Sequence, residues 1–257
     1  MATYNKRGYK PKTKVEKEVE EIEDSTTAEV FASLDEGASK TEEWVEKNQK
    51  AIFGVIIGIL VIALGYIAYG KFIKEPKIEE AANELANAQE DFTTALETTN
   101  TNVKDSLYNV ALQGSGGKYG LLEIAEEYSG TPSANLAHYY AGMSYLEMKD
   151  YKNAISHLED FSSDDMILAP LAKGAIGDAF MQLDQADQAL SYYEQAFKVN
   201  TNDFTTPRFL FKAAVAAIDL GKNDVAISYL NRIKDEFEKS DYASQVDLYL
   251  GRAQAGN

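Results

Sequence analysis

Gly130 to Leu158 reads GTPSANLAHYYAGMSYLEMKDYKNAISHL, and its pattern returns in GAIGDAFMQLDQADQALSYYEQAF, Gly174 to Phe197. Gly142, Tyr145, Ala154, Leu158 and Phe161 align with Gly177, Phe180, Ala189, Tyr193 and Ala196, with gaps of 3, 9, 4 and 3 in both sets and an offset of 35. Ala214, Ala217, Ala226, Leu230 and Ile233 repeat the gaps at a further offset of 37. Two small residues at fixed points let a pair of helices cross closely, and the bulky positions fill the space around the crossing. Turns are expected at Met148-Lys149-Asp150, Asp184-Gln185-Ala186 and Gly221-Lys222-Asn223. Pro170 and Pro207 are expected at the first position of their repeats, where a helix tolerates a missing N–H.

Self-similarity near 34 residues resembles the tetratricopeptide repeat, a helix-turn-helix unit that stacks into a solenoid. Upstream, Ile78, Ala81, Ala82, Leu85, Ala88, Gln89, Phe92 and Leu96 follow the 3.6 period of an amphipathic helix. A shorter element near Asp105 to Leu112, a break at Gly114-Ser115-Gly116-Gly117 and a helix from Tyr119 to Tyr128 complete a degenerate, opened first repeat. The expectation is an all-α chain: repeats near 135–168, 170–203 and 207–240, then a capping helix over 241–255 with Gly251 at the small position.

Ahead of the repeats lies AIFGVIIGILVIALGYIAYG, Ala51 to Gly70, free of charge between Lys50 and Lys71. At about 1.5 Å per residue it matches the roughly 30 Å of a bilayer's hydrocarbon core, and its apolar residues go all the way round. Trp44, Tyr66, Tyr69 and Phe72 are placed as interfacial anchors. The segment starts too late and is too long for a cleaved signal peptide, so a retained single transmembrane anchor is expected over 44–75, with the span at 51–70. Gly54, Gly58 and Gly65 form a small-residue face suited to helix packing. Residues 1–43 carry a basic block, Lys6 to Lys17, and an acidic one, Glu18 to Asp24, and are expected to be largely disordered, with a short helix leading into Trp44. The bias of Lys and Arg puts this tail in the cytoplasm and residues 76–257 outside it, in the periplasm of a Gram-negative cell.

Composition removes several chemistries. With no cysteine in the chain there are no disulfides, thiol nucleophiles or thiolate metal sites. The net charge is −16, and residues 71–257 hold 16 Lys and Arg against 29 Asp and Glu, so nucleic acid is not expected as a partner. Gly114-Ser115-Gly116-Gly117-Lys118 fails as a phosphate loop because Leu112 and Tyr119 stand where a Gly and a Ser or Thr are required. His138 and His157 have no carboxylate partner at ligand spacing in sequence and are read as packing or surface residues. No enzyme activity, catalytic residue, metal or cofactor is expected.

In a superhelix of such repeats the first helix of each unit lines the concave side with positions two, five, nine and twelve. The resemblance therefore implies a partner-binding groove of Leu136, Tyr139, Met143 and Leu146, then Leu171, Gly174, Asp178 and Met181, then Arg208, Phe211, Val215 and Ile218. Burial of several of these by a neighbouring or capping helix is the alternative. An acidic outer face suggests basic or unfolded clients. With its anchor and opened first repeat, the chain resembles YfgM-type tetratricopeptide proteins of Gram-negative bacteria, in which an amino-terminal span presents a periplasmic repeat domain. That resemblance implies a non-enzymatic inner-membrane adaptor or chaperone-like accessory of the SecYEG translocon, beside a PpiD-like periplasmic chaperone or unfolded secretory chains. The alternative is an assembly scaffold for another envelope machine: division, outer-membrane biogenesis or cytochrome maturation.

Overall fold

The computed structural model describes residues 14–256, and the expectations placed on residues 1–13 lie outside them. The chain divides into two compact units between Gly70 and Lys71. The first contains one helix, α1 (Lys14–Tyr69). Residues 14–43, expected to be largely disordered, run here as helix. No proline interrupts the sequence between Pro11 and Pro76, and its Glu, Lys and Ala residues are strong helix formers, so local propensity carries the backbone through the acidic block. Ser33 Oγ, Thr41 Oγ1 and Asn48 Nδ2 donate to carbonyls of the preceding turn at 2.7–2.8 Å, satisfying themselves within the helix. Its apolar window has a mean hydropathy of 2.7 and none of it is buried. By length and composition this helix can cross a membrane. A Cβ added at Gly54, Gly58 or Gly65 meets nothing within 4 Å.

After a π-helical turn, Gly70–Lys74, the second unit opens with α2 (Glu75–Glu97), α3 (Thr101–Gln113) and α4 (Leu121–Glu127). The buried residues of α2 are Ala81, Leu85, Ala88, Phe92 and Ala95, the single stripe its periodicity predicts. They form one core with Tyr108, Leu112, Leu121, Ile124 and the start of the next helix.

Three helix pairs follow: α5 (Pro132–Glu147) with α6 (Tyr151–Asp160), α7 (Leu168–Gln182) with α8 (Ala186–Val199), and α9 (Thr205–Asp219) with α10 (Asn223–Glu236). A single helix, α11 (Ala243–Ala255), ends the described chain. There is no strand among the described residues, and the fold is an all-α, tetratricopeptide-like solenoid. The small aligned positions are where helices cross. A Cβ on Gly142 would stand 2.5 Å from Leu158 Cγ, and one on Gly177 would stand 2.6 Å from Tyr193 Cε1. Of the fifteen aligned residues only Tyr145 and Phe180 keep appreciable exposure.

Each pair turns through one left-handed residue, Lys149 (φ 65°), Asp184 (φ 56°) or Gly221 (φ 68°), and these positions carry the same offsets of 35 and 37 as the core pattern. The N–H that follows bonds back across the turn, Asp150 to Tyr145, Gln185 to Phe180 and Lys222 to Ala217, closing the carbonyl end of the first helix. The entrances are capped by side chains. Thr131 accepts from Ala134 N–H, Asp165 Oδ1 accepts from Ile167 and Leu168 N–H, and Asn202 Oδ1 accepts from Phe204 and Thr205 N–H. These two backbone bonds hold the Asp165 carboxyl below its ordinary pKa. Pro170 and Pro207 fall at the third residue of α7 and α9, not the first as expected, because the caps begin each helix two residues earlier. The missing N–H still costs nothing, since the first four donors of a helix have no partner within it.

Candidate functional site

Successive first helices touch one another, α5 with α7, α7 with α9 and α9 with α11, while no second helix reaches another through its backbone. The second helices are joined by side chains instead: Tyr192 OH donates to Glu159 at 2.5 Å, and Tyr229 OH donates to Glu194 at 2.8 Å. Burial and the adjoining Glu159 push the Tyr192 phenol up to about 12. The inner face of the stack is therefore built from α5, α7 and α9.

The residues expected to line a groove occupy these helices in three kinds of setting. Tyr139 and Phe211 are buried, at 8% and 9% exposure, Tyr139 against Phe161 and Phe211 against Tyr242 and Tyr249. Leu136, Met143, Leu146, Leu171, Met181, Val215 and Ile218 are half-buried, packed against the repeat cores while keeping exposed surface. Gly174 is buried because the ring of Phe209 fills the place of its side chain, with Cε1 only 1.8 Å from an added Cβ.

Asp178 is part of a polar knot. Lys212 Nζ reaches both its oxygens at 2.5 and 2.6 Å, and Tyr193 OH donates to Oδ1 at 2.7 Å. Burial, with Asp178 beside it, drives the Tyr193 phenol far above its usual range, so it stays a neutral donor. The knot forms one wall of a hollow of about 430 Å³ that Leu146, Tyr151, Met181 and Gln182 also line. Arg208, one turn before Lys212, has its Nε buried without a hydrogen-bond partner.

The two histidines, assigned no partner at ligand spacing from the sequence, come together. Their Nδ1 atoms lie 3.2 Å apart, and Asp160 Oδ2 is 3.9 Å from His138 Nδ1. Helix pairing brings together what 19 residues of sequence separate. The repeat register explains their place. His157 stacks on Tyr145 at 5.5 Å, and 35 residues later Tyr192 stacks on Phe180 at 5.4 Å. His138 is answered by Lys173, which lies over the Tyr192 ring at 5.8 Å. The pair thus fills a packing slot common to two repeats, a signal the offset carried in the sequence. Among the described residues no cluster of three His, Asp or Glu is arranged to hold a metal. The glycine loop is a brace: Lys118 Nζ bonds Asn87 Oδ1 at 2.9 Å, Tyr119 N–H bonds Glu84 at 3.2 Å, and Gly114 and Gly120 close on each other too tightly for a side chain on either.

Residues 136–164 and 175–241 each match models of the tetratricopeptide repeat. No curated protein sequence matches the chain. A crystal structure from Podosopora anserina, of a kinesin-light-chain-like protein with nearly identical TPR-like repeats, superposes with a TM-score of 0.45 at 16% identity, covering 71% of this chain and 85% of that one. Those two stretches carry the tetratricopeptide pattern, and a stack of such repeats is a type of protein–protein interaction scaffold.

Proposed function

We propose that this chain is a membrane-anchored adaptor that holds polypeptides on the inner face of its repeats and does no chemistry on them. The observation that carries this reading is the half-buried apolar row on α5, α7 and α9, which keeps surface for a partner while the knot at Asp178 fixes the spacing of the helices. Such a row suits an extended or helical segment, whose alternate side chains find separate places along it. The apolar window of α1 supplies the anchor at the inner membrane, with the repeats in the periplasm. Tethering then raises the effective concentration of the groove for chains emerging at the membrane. The opened first repeat and single anchor favour an accessory of the Sec translocon, meeting secretory chains or a PpiD-like chaperone. Co-purification in mild detergent tests this: SecY and PpiD are expected among the recovered proteins, and recovery of a division, outer-membrane or cytochrome-maturation complex without them overturns the assignment to Sec.

A further inference from the structure

The part of α1 ahead of the apolar span carries a face that no other described residue covers. Phe31 is 66% and Leu34 63% exposed, and Val45 is exposed with them. With Ala38, Thr41 and Asn48 they recur at alternating steps of three and four residues, from 31 to 48. Such steps average 3.5 residues per turn, the repeat that keeps one face towards a partner helix in a left-handed coiled coil. The opposite side, with Glu29, Ser39, Glu43, Glu46 and Lys50, is polar. Two of the seam residues are polar, and both are satisfied within the helix: Thr41 Oγ1 donates to Gly37 O and Asn48 Nδ2 to Trp44 O, each at 2.7 Å. They can enter a contact without leaving those donors unpaired. Between Leu34 and Val45 the small Gly37 and Ala38 leave a hollow, the shape that receives a side chain from a facing helix.

We propose that α1 pairs with the α1 of a second copy of this chain, parallel and in register, along the seam from Phe31 to Asn48. The direction rests on the anchor reading above, since two copies with one span each cross a bilayer the same way. Because α1 is unbroken, the seam continues through Ile52, Val55, Ile59 and Ile62, where apolar residues all round give the pattern no contrast of its own. Positions 31–69 run about 60 Å at 1.5 Å per residue, and a strip about 10 Å wide on both helices covers roughly 1,200 Å², the foot of the range for a stable pair. Charge agrees with this occupant. In a parallel pair a residue flanking the seam meets the one five places further along the other helix, so Val30 and Gly37 face Asp35 and Glu42, and no acid meets an acid there. A membrane surface fits less well: residues 28–50 hold six Asp and Glu against three Lys, and the cytoplasmic leaflet is itself negative.

The chain has no cysteine, so single substitutions report the seam without background. Leu34→Cys and Val45→Cys lie on it, and Glu29→Cys and Glu43→Cys lie on the far side at similar heights. Each full-length variant is oxidised with copper phenanthroline in carbonate-washed membranes and sized on a non-reducing gel. Leu34→Cys and Val45→Cys are expected as disulfide dimers in roughly tenfold excess over the other two, because only like seam positions approach within the about 7 Å between Cα atoms that a disulfide spans. Light scattering in mild detergent gives a second readout: Leu34→Glu combined with Val45→Glu should shift the mass of the chain from two copies to one. Equal cross-linking at all four positions, none at any, a link to a chain of another size, or a mass that the double variant leaves unchanged overturns the pair and leaves the anchor standing. Loss of the protein from the washed membranes overturns the anchor and the parallel pair with it.

Discussion

At Gly174 the absence of a side chain is what lets α7 and α9 approach, because the Phe209 ring occupies the volume a Cβ would need. Phe209 is itself only 1% exposed and cannot withdraw. Gly174→Ala is therefore expected to destabilise the solenoid by about 1–3 kcal/mol, the usual penalty of overpacking a core, read as a lower midpoint in urea. The histidine pair responds to pH. Burial, and then the charge of His138, hold the folded His157 below its ordinary pKa, with Asp160 opposing. In the unfolded chain the group takes up its proton near 6.5. Between the folded value and about 6.5 the unfolded state binds more protons, so stability rises with pH across that window and is lost as the pH falls through it. His157→Tyr, which installs the ring found at Tyr192 of the next repeat, should flatten this dependence between pH 5 and 7.5 in urea titrations. An unchanged slope would assign it to the carboxylates instead.

Among the elements, α11 is the one held from one side. It covers the third repeat through Tyr249, whose ring meets Phe211 edge-on at 4.8 Å, and through buried Val246 and Ala253, while Leu248 stays 68% exposed and a Cβ on Gly251 would touch nothing. In a solenoid each unit answers only to its neighbours, so damage here stays local. Tyr249→Ala should cost about 1–3 kcal/mol in the terminal unit and, by hydrogen exchange, strip protection from the amides of α11 and α9 while leaving α5 and α6 unchanged. The sequence made this stacking legible because a close helix crossing demands a small residue at a fixed point, and Gly142, Gly177 and Ala214 have few substitutes. Helix starts were less legible: Asp165 and Asn202 cap through side chains that read in sequence as plain linker residues, which displaced Pro170 and Pro207 by two positions. The knot of Asp178 with Lys212 depends on how one repeat stacks on the next, which no local pattern encodes, whereas the contact between the histidines comes from pairing within one repeat. For residues 14–43 the charge blocks argue for disorder, while the absence of proline and the many Glu, Lys and Ala residues are compatible with the helix α1.

The whole molecule joins a soluble-type repeat stack to a segment that water does not favour. Eleven Ile, Leu, Val and Phe residues between Ala51 and Gly70 each contribute about 0.3–0.6 kcal/mol to insertion, roughly 3–7 kcal/mol together. None of this window is buried among the described residues, and on the proposed reading a bilayer relieves its exposure. A single arginine at the helix centre costs about 2.5–3.5 kcal/mol, and Ile59→Arg also removes one favourable residue, which cuts the balance to roughly 0–4 kcal/mol. The wild-type chain is expected to stay with the membrane through an alkaline carbonate wash, and Ile59→Arg to be released in large part. In spheroplasts, protease should remove residues beyond Lys71 and spare the tail ahead of Lys50, since nine Lys and Arg precede the span in a short segment and long domains cross largely regardless of charge. Cleavage of the tail with the repeats protected would put the inner face of α5, α7 and α9 in the cytoplasm. The Sec assignment would then fall while the repeat scaffold stood.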